Sequence, residues 1–115
     1  MILLAMLMLQ APSLVGDWAA VEPHRDSSLP VEPCATDNGV RYEADGRFSD
    51  FLGDEQGRWQ VRRGVLTEHV THRYDENQES RPVRERAGRW RLRWLSPNHV
   101  NLISGRTVYG LIRCP

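Results

Sequence analysis

From residue 14 onward the chain alternates between apolar and polar positions. In "GRWQVR", residues 57–62, Trp59 and Val61 alternate with Arg58, Gln60 and Arg62; in "GRWRLRW", residues 88–94, Trp90, Leu92 and Trp94 alternate with Arg89, Arg91 and Arg93. A period of two belongs to a strand with one apolar and one solvated face, so both stretches are predicted as strands whose tryptophans point inward and are buried. Each begins with a glycine, Gly57 or Gly88, read as a turn from which the chain re-enters the core.

The pattern continues on both sides of these words. Asp45-Gly46 is a two-residue hairpin signal between predicted strands at 40–43 and 47–52. Arg63-Gly64 marks a turn into a long strand ending at Tyr74, and the polar run 75–82 is predicted as a loop. Strands follow at 83–86, 90–94, 99–103 and 107–113, with turns at 96–98 and 104–105, while residues 14–20 supply the first strand. No segment has a helical period. The chain therefore reads as all-β, with eight or nine short antiparallel strands linked by hairpins. In a domain of this size such a meander is expected to close into a small up-and-down barrel, which leaves no exposed sheet edge. Residues 21–39, with three prolines and no periodicity, read as a long loop across one barrel end, and with the 75–82 loop they are expected to form a shallow mouth.

Composition changes this picture at the N-terminus. "MILLAMLML" is an uncharged apolar run followed by "QAPS", in which Ala11 and Ser13 are the small residues a signal peptidase accepts before a cut at Leu14. Residues 1–13 are read as a signal peptide and 14–115 as the domain; a buried N-terminal strand or helix stays open as the other reading, because no Lys or Arg precedes the run. The run is too short to span a bilayer, so the protein is not expected to be membrane-spanning. A leader implies a periplasmic or secreted protein in an oxidising compartment. There Cys34 and Cys114, which lack C-x-x-C spacing, are expected to form one disulfide; two free buried thiols follow if the leader reading fails.

Charge excludes more than it suggests. Fifteen basic residues balance fifteen acidic ones, which speaks against a generally basic nucleic-acid binder. Every basic residue is arginine, so lysine Schiff-base and general-base chemistry are ruled out. Residues 81–93 hold six arginines against one glutamate, and an anionic partner is conceivable there. The favoured reading is a solvated ladder paired with carboxylates such as Glu43 and Glu85, because nucleic-acid grooves mix aromatics with the cations whereas Trp90 and Trp94 fall on the opposite face.

Candidate chemistry is sparse. His69 and His72 are an odd number of residues apart on a strand and should point to opposite faces, and His24 and His99 lie elsewhere, so no metal site is expected. There is no G-x-S-x-G, and Ser49, Ser80, Ser96 and Ser104 have no identifiable base. Asp50, Asp54 and Glu55 lack the spacing of a calcium loop and read as a solvated turn. Neither an enzyme nor a cofactor is expected. One strand face is informative, since Glu68, His72 and Tyr74 share parity with Leu66 and Val70. If that face is interior, the trio could hold a small polar-headed ligand. If the strand is twisted or bulged, they sit at the rim, which is preferred because unpaired polar groups in so small a core are costly.

"GDW", Gly16-Asp17-Trp18, opens the first strand of this predicted barrel and resembles the G-x-W signature of the lipocalins. The "DGRF" and "GRW" hairpins are similar to those of short bacterial secreted lipocalin-like domains. The resemblance implies that Trp18 packs at a closed barrel base beneath Arg113. The chain is shorter than a typical lipocalin, and an eight-stranded barrel is only just filled by side chains; Trp18, Trp59, Trp90 and Trp94 are thus expected to be structural. The implied function is a secreted or periplasmic binding module for a small or amphipathic ligand. The alternative is an inhibitor or protein-interaction barrel acting on an extracytoplasmic enzyme, since the outline is also similar to small periplasmic barrels that inhibit proteases. Free volume separates the two, because a ligand module needs a cavity and an inhibitor a full core with a protruding loop.

Overall fold

The structure, a computed structural model, describes residues 12–23, 34, 38–74, 80–82 and 88–115. Most of the expected leader, His24, much of the expected 21–39 loop and the strand expected at 83–86 lie outside the described residues. Nine strands are present among them: β1 (Gly16–Val21), β2 (Gly39–Tyr42), β3 (Arg47–Asp50), β4 (Glu55–Arg62), β5 (Val65–Tyr74), β6 (Ser80–Pro82), β7 (Gly88–Ser96), β8 (His99–Ser104) and β9 (Thr107–Arg113). Each pairs antiparallel with its neighbours in the order β4-β3-β2-β1-β9-β8-β7-β5, and β4 also pairs with β5. That last pairing closes an eight-stranded up-and-down barrel. The ninth strand, β6, extends the hairpin from β5: Val65 to Glu68 pair with β7 and His72 to Tyr74 with β6. Residues 80–82 are therefore strand, where the polar composition of 75–82 predicts only loop.

Alternation survives closure because one face of every strand must leave water. Leu14, Trp18, Tyr42, Phe48, Leu66, Val100, Leu102 and Leu111 form the buried core. Arg58, Arg89, Arg91 and Arg93 are exposed on the outer face. The register is consistent around the ring, with Trp18 opposite Val40 and Arg113, Trp59 opposite Glu68, and Trp90 opposite Leu66. The outer side of β8 differs from that of β7, for its His99 and Asn101 are buried. Near it, Cys34 is bonded to Cys114 just beyond β9, with Cα atoms 5.6 Å apart.

Three further expectations need correction. Gly57 is not a turn: it lies inside β4, where a Cβ would run into the His69 carbonyl and the Phe48 ring. Its missing side chain lets β4 approach β5 closely, at the place where Gln56 faces His72 and Gly57 faces Val70. Thr71 is thereby left over, a β-bulge that reverses the facing of every later residue of β5. The second correction follows: beyond the bulge His72 shares the outer face with His69, so the two histidines do not point to opposite faces. Third, Trp59 and Trp90 are half-buried against the core rather than enclosed by it, because each stands toward a barrel end.

Candidate functional site

The base of the barrel is the end at which β1 begins and β9 finishes. Trp18 is fully buried there, and its Nε1 donates to the Leu14 carbonyl at 2.8 Å. The Arg113 guanidinium lies over the Trp18 ring, 4.3 Å from its centroid, close enough for a cation–π contact. Its nitrogens donate to the carbonyls of Ser13 at 2.6 Å, Val15 at 2.8 Å and Pro97 at 3.1 Å. Partial burial draws the Arg113 pKa below the usual guanidinium value. Gly16 has a φ of 134°, and a Cβ on it would come within 3.0 Å of Arg113 Nη1. The glycine of "GDW" is thus needed for both backbone conformation and space. A cut before Leu14 would remove the Ser13 carbonyl that accepts the shortest of the Arg113 hydrogen bonds.

Beside this clamp the base opens into a cavity of about 470 Å³, walled mainly by Leu14, Trp59, Val61, Leu92 and Trp94 and edged by Ala44 and Gly64. Both indoles are braced from behind. Trp59 donates from Nε1 to the Glu43 carbonyl at 2.9 Å and meets the Tyr42 ring edge-on at 5.2 Å. Trp94 meets Trp18 edge-on at 5.8 Å. Ser13 and Gln60 contribute polar groups at the edge. This cavity lies at the end opposite to that where β1 and β5 finish, so it is not formed by the loops expected to make the mouth.

Deeper in the barrel, among the described residues, stands one carboxyl. Glu68 faces inward between its strand partners Trp59 and Gly88, and Tyr42 Oη donates to its Oε1 at 3.3 Å. Burial pushes the Glu68 pKa up to about 7; the Tyr42 hydrogen bond pulls against that shift and the charge of Glu55 adds to it. Tyr42 is held well above the ordinary phenol value by its own burial and then by the adjacent carboxylate. His72 and Tyr74 do not join Glu68, because the bulge turns them outward and both are exposed. Their place at the far end is taken by the Glu55–Arg73 ion pair at 3.3 Å and the Trp90–Tyr109 contact at 5.2 Å. Pairing this interior carboxyl with a buried phenol gives a neutral, hydrogen-bonded acid at mildly acidic pH.

Sequence reasoning missed Tyr42 as the partner of Glu68, and Leu14 and Val61 as cavity walls. The alternation in "VRYE" points Tyr42 inward, but nothing in the sequence aligns it with a residue 26 positions away. Glu43 pairs with Arg47 at 3.5 Å, not with the arginines of β7, while Glu85 lies outside the described residues. Among the described residues no group of three metal-ligating side chains comes together. None of their segments forms a helix long and apolar enough to cross a membrane. Comparison with family models, curated proteins and solved structures returned no match.

Proposed function

We propose that the protein is a small extracytoplasmic lipocalin-like module that binds a small apolar or amphipathic molecule at the barrel base, between Trp59 and Trp94. The observation that carries this reading is the cavity. At about 470 Å³ it falls within the roughly 300–1,000 Å³ usual for small-molecule sites, and it has the expected make-up of apolar and aromatic walls with few polar groups. The Cys34–Cys114 disulfide supports an oxidising location. The Trp18–Arg113 clamp supports the likeness to lipocalins, here with the binding space beside the clamp. An inhibitor with a full core would have no use for this volume.

Titration with the neutral fluorophore N-phenyl-1-naphthylamine tests the reading. Saturable fluorescence enhancement with one site per chain is expected, with energy transfer from tryptophan. Val61, at the lip and 39% exposed, can be changed to Glu with little effect on folding, and Val61→Glu should abolish the signal while leaving the thermal midpoint nearly unchanged. Absence of saturable binding, or equal binding by the variant, would turn the assignment to the inhibitor class.

A further inference from the structure

Although the chain is neutral overall, its charge is divided. Residues 1–57 carry three arginines against ten carboxylates, and residues 58–115 carry twelve against five. The fold gathers part of that excess on one surface. On the outer face of β4, β5 and β7 stand Arg58 and Arg62, then Val65, Thr67 and His69, then Arg89, Arg91 and Arg93, as fixed by the pairs Arg58↔His69, Arg62↔Val65, Val65↔Arg91 and Thr67↔Arg89. No carboxylate of these three strands shares that face, for Glu55 and Glu68 lie on the other parity. With strands about 4.8 Å apart and alternate residues about 6.7 Å apart, five guanidinium groups occupy roughly 10 by 20 Å.

These arginines differ from others in the same chain. Arg41 pairs with Asp17 at 2.7 Å, Arg47 with Asp45 at 2.7 Å, and Arg73 with Glu55 at 3.3 Å. Arg113 is committed to Trp18 and three carbonyls. Arg58, Arg62, Arg89, Arg91 and Arg93 are all exposed and have no carboxylate partner among the described residues. Aligned like charges at this spacing repel one another within a Debye length of about 8 Å, so the face costs the fold something unless an anion relieves it.

We propose that the outer face of β4, β5 and β7 docks an acidic polysaccharide. Guanidinium groups in parallel rows suit a chain that repeats carboxylate or sulfate groups, each able to accept two hydrogen bonds. The stretch spanned by the five arginines carries no Trp, Tyr or Phe on which bases could stack, since Tyr74, exposed on the outer side of β5, lies beyond the bulge and past the arginine rows, which disfavours single-stranded nucleic acid. It also lacks the large apolar side chains that an interfacial membrane binder inserts. This surface lies outside the barrel, so the proposal is independent of the cavity at the base.

The test uses the full chain and a defined heparin oligosaccharide as the probe, followed by calorimetry over a range of salt concentrations. Binding that weakens steadily with salt is expected. The triple variant Arg89→Gln, Arg91→Gln, Arg93→Gln should lose roughly tenfold or more in affinity and show a shallower salt dependence, as expected when ionic contacts are removed. Arg41→Gln, which alters an arginine of β2 outside this face, should bind like the unaltered protein. N-phenyl-1-naphthylamine binding should be unchanged in both variants, which separates this surface from the cavity, and the thermal midpoint of the triple variant should be no lower than that of the unaltered protein, because the substitutions relieve like-charge repulsion. Undiminished heparin binding by the triple variant would overturn the proposal. So would tighter binding to single-stranded DNA or to phosphatidylglycerol vesicles than to heparin.

Discussion

Replacing Glu68 with Gln should change how stability depends on pH. In the unfolded chain the carboxyl titrates near 4.5, and in the barrel burial raises its pKa to about 7. Below pH 4.5 it is protonated in both states and exacts no penalty. Between 4.5 and 7 the folded state binds more protons than the unfolded one, so stability falls as pH rises. Above 7 the loss is complete. A shift of this size corresponds to roughly 3 kcal/mol as a ceiling, reduced by any water that reaches the carboxylate. The Glu68→Gln side chain keeps the original volume and can still accept the Tyr42 hydroxyl without carrying charge. Urea denaturation at pH 5 and pH 8 should give similar stabilities for the variant and the unaltered protein at the lower pH, with the variant ahead by about 1–3 kcal/mol at the higher. Parallel pH profiles would refute the claim that Glu68 faces an interior that resists its charge.

Two further perturbations separate the parts of the barrel. Trp18→Ala removes a fully buried indole and should cost about 3–5 kcal/mol, whereas half-buried Trp59→Ala should cost about half as much and exposed Arg58→Ala no more than about 0.5 kcal/mol; equal losses for the two tryptophans in chemical denaturation would contradict the burial gradient. Replacing Cys34 and Cys114 together by Ser releases a loop of sequence separation 80 and should lower stability by about 4 kcal/mol in the chain-entropy view, and an unchanged denaturation midpoint would contradict that role.

Much of the barrel was legible because period-two alternation is a local property. Hairpin signals at Asp45-Gly46, Arg63-Gly64 and Ser104-Gly105 coincide with observed turns, all three at glycines with positive φ, from 58° to 91°. The base was legible in part, since three residues, "GDW", directed attention to Trp18 and Arg113. What failed depended on contacts between distant strands. Gly57 looks like a turn until β5 lies against it, and only then does the bulge at Thr71 divide Glu68 from His72 and Tyr74. The Glu68–Tyr42 hydrogen bond crosses the barrel interior, so closure has to be known before the pair can be found. The cavity depends on where Leu14 crosses the base between Trp59 and Trp94, which has no periodic signature.

The four indole N–H groups allow the central claim to be tested in one spectrum. In a two-dimensional ¹H–¹⁵N correlation spectrum recorded during titration with N-phenyl-1-naphthylamine, the side-chain resonances of Trp59 and Trp94 should shift most, since both indoles wall the cavity. Trp90, which packs against Tyr109 toward the other end, should stay in place. A spectrum in which Trp90 moves while Trp59 and Trp94 do not, or in which no indole responds to a probe that binds, would contradict a binding site at the barrel base.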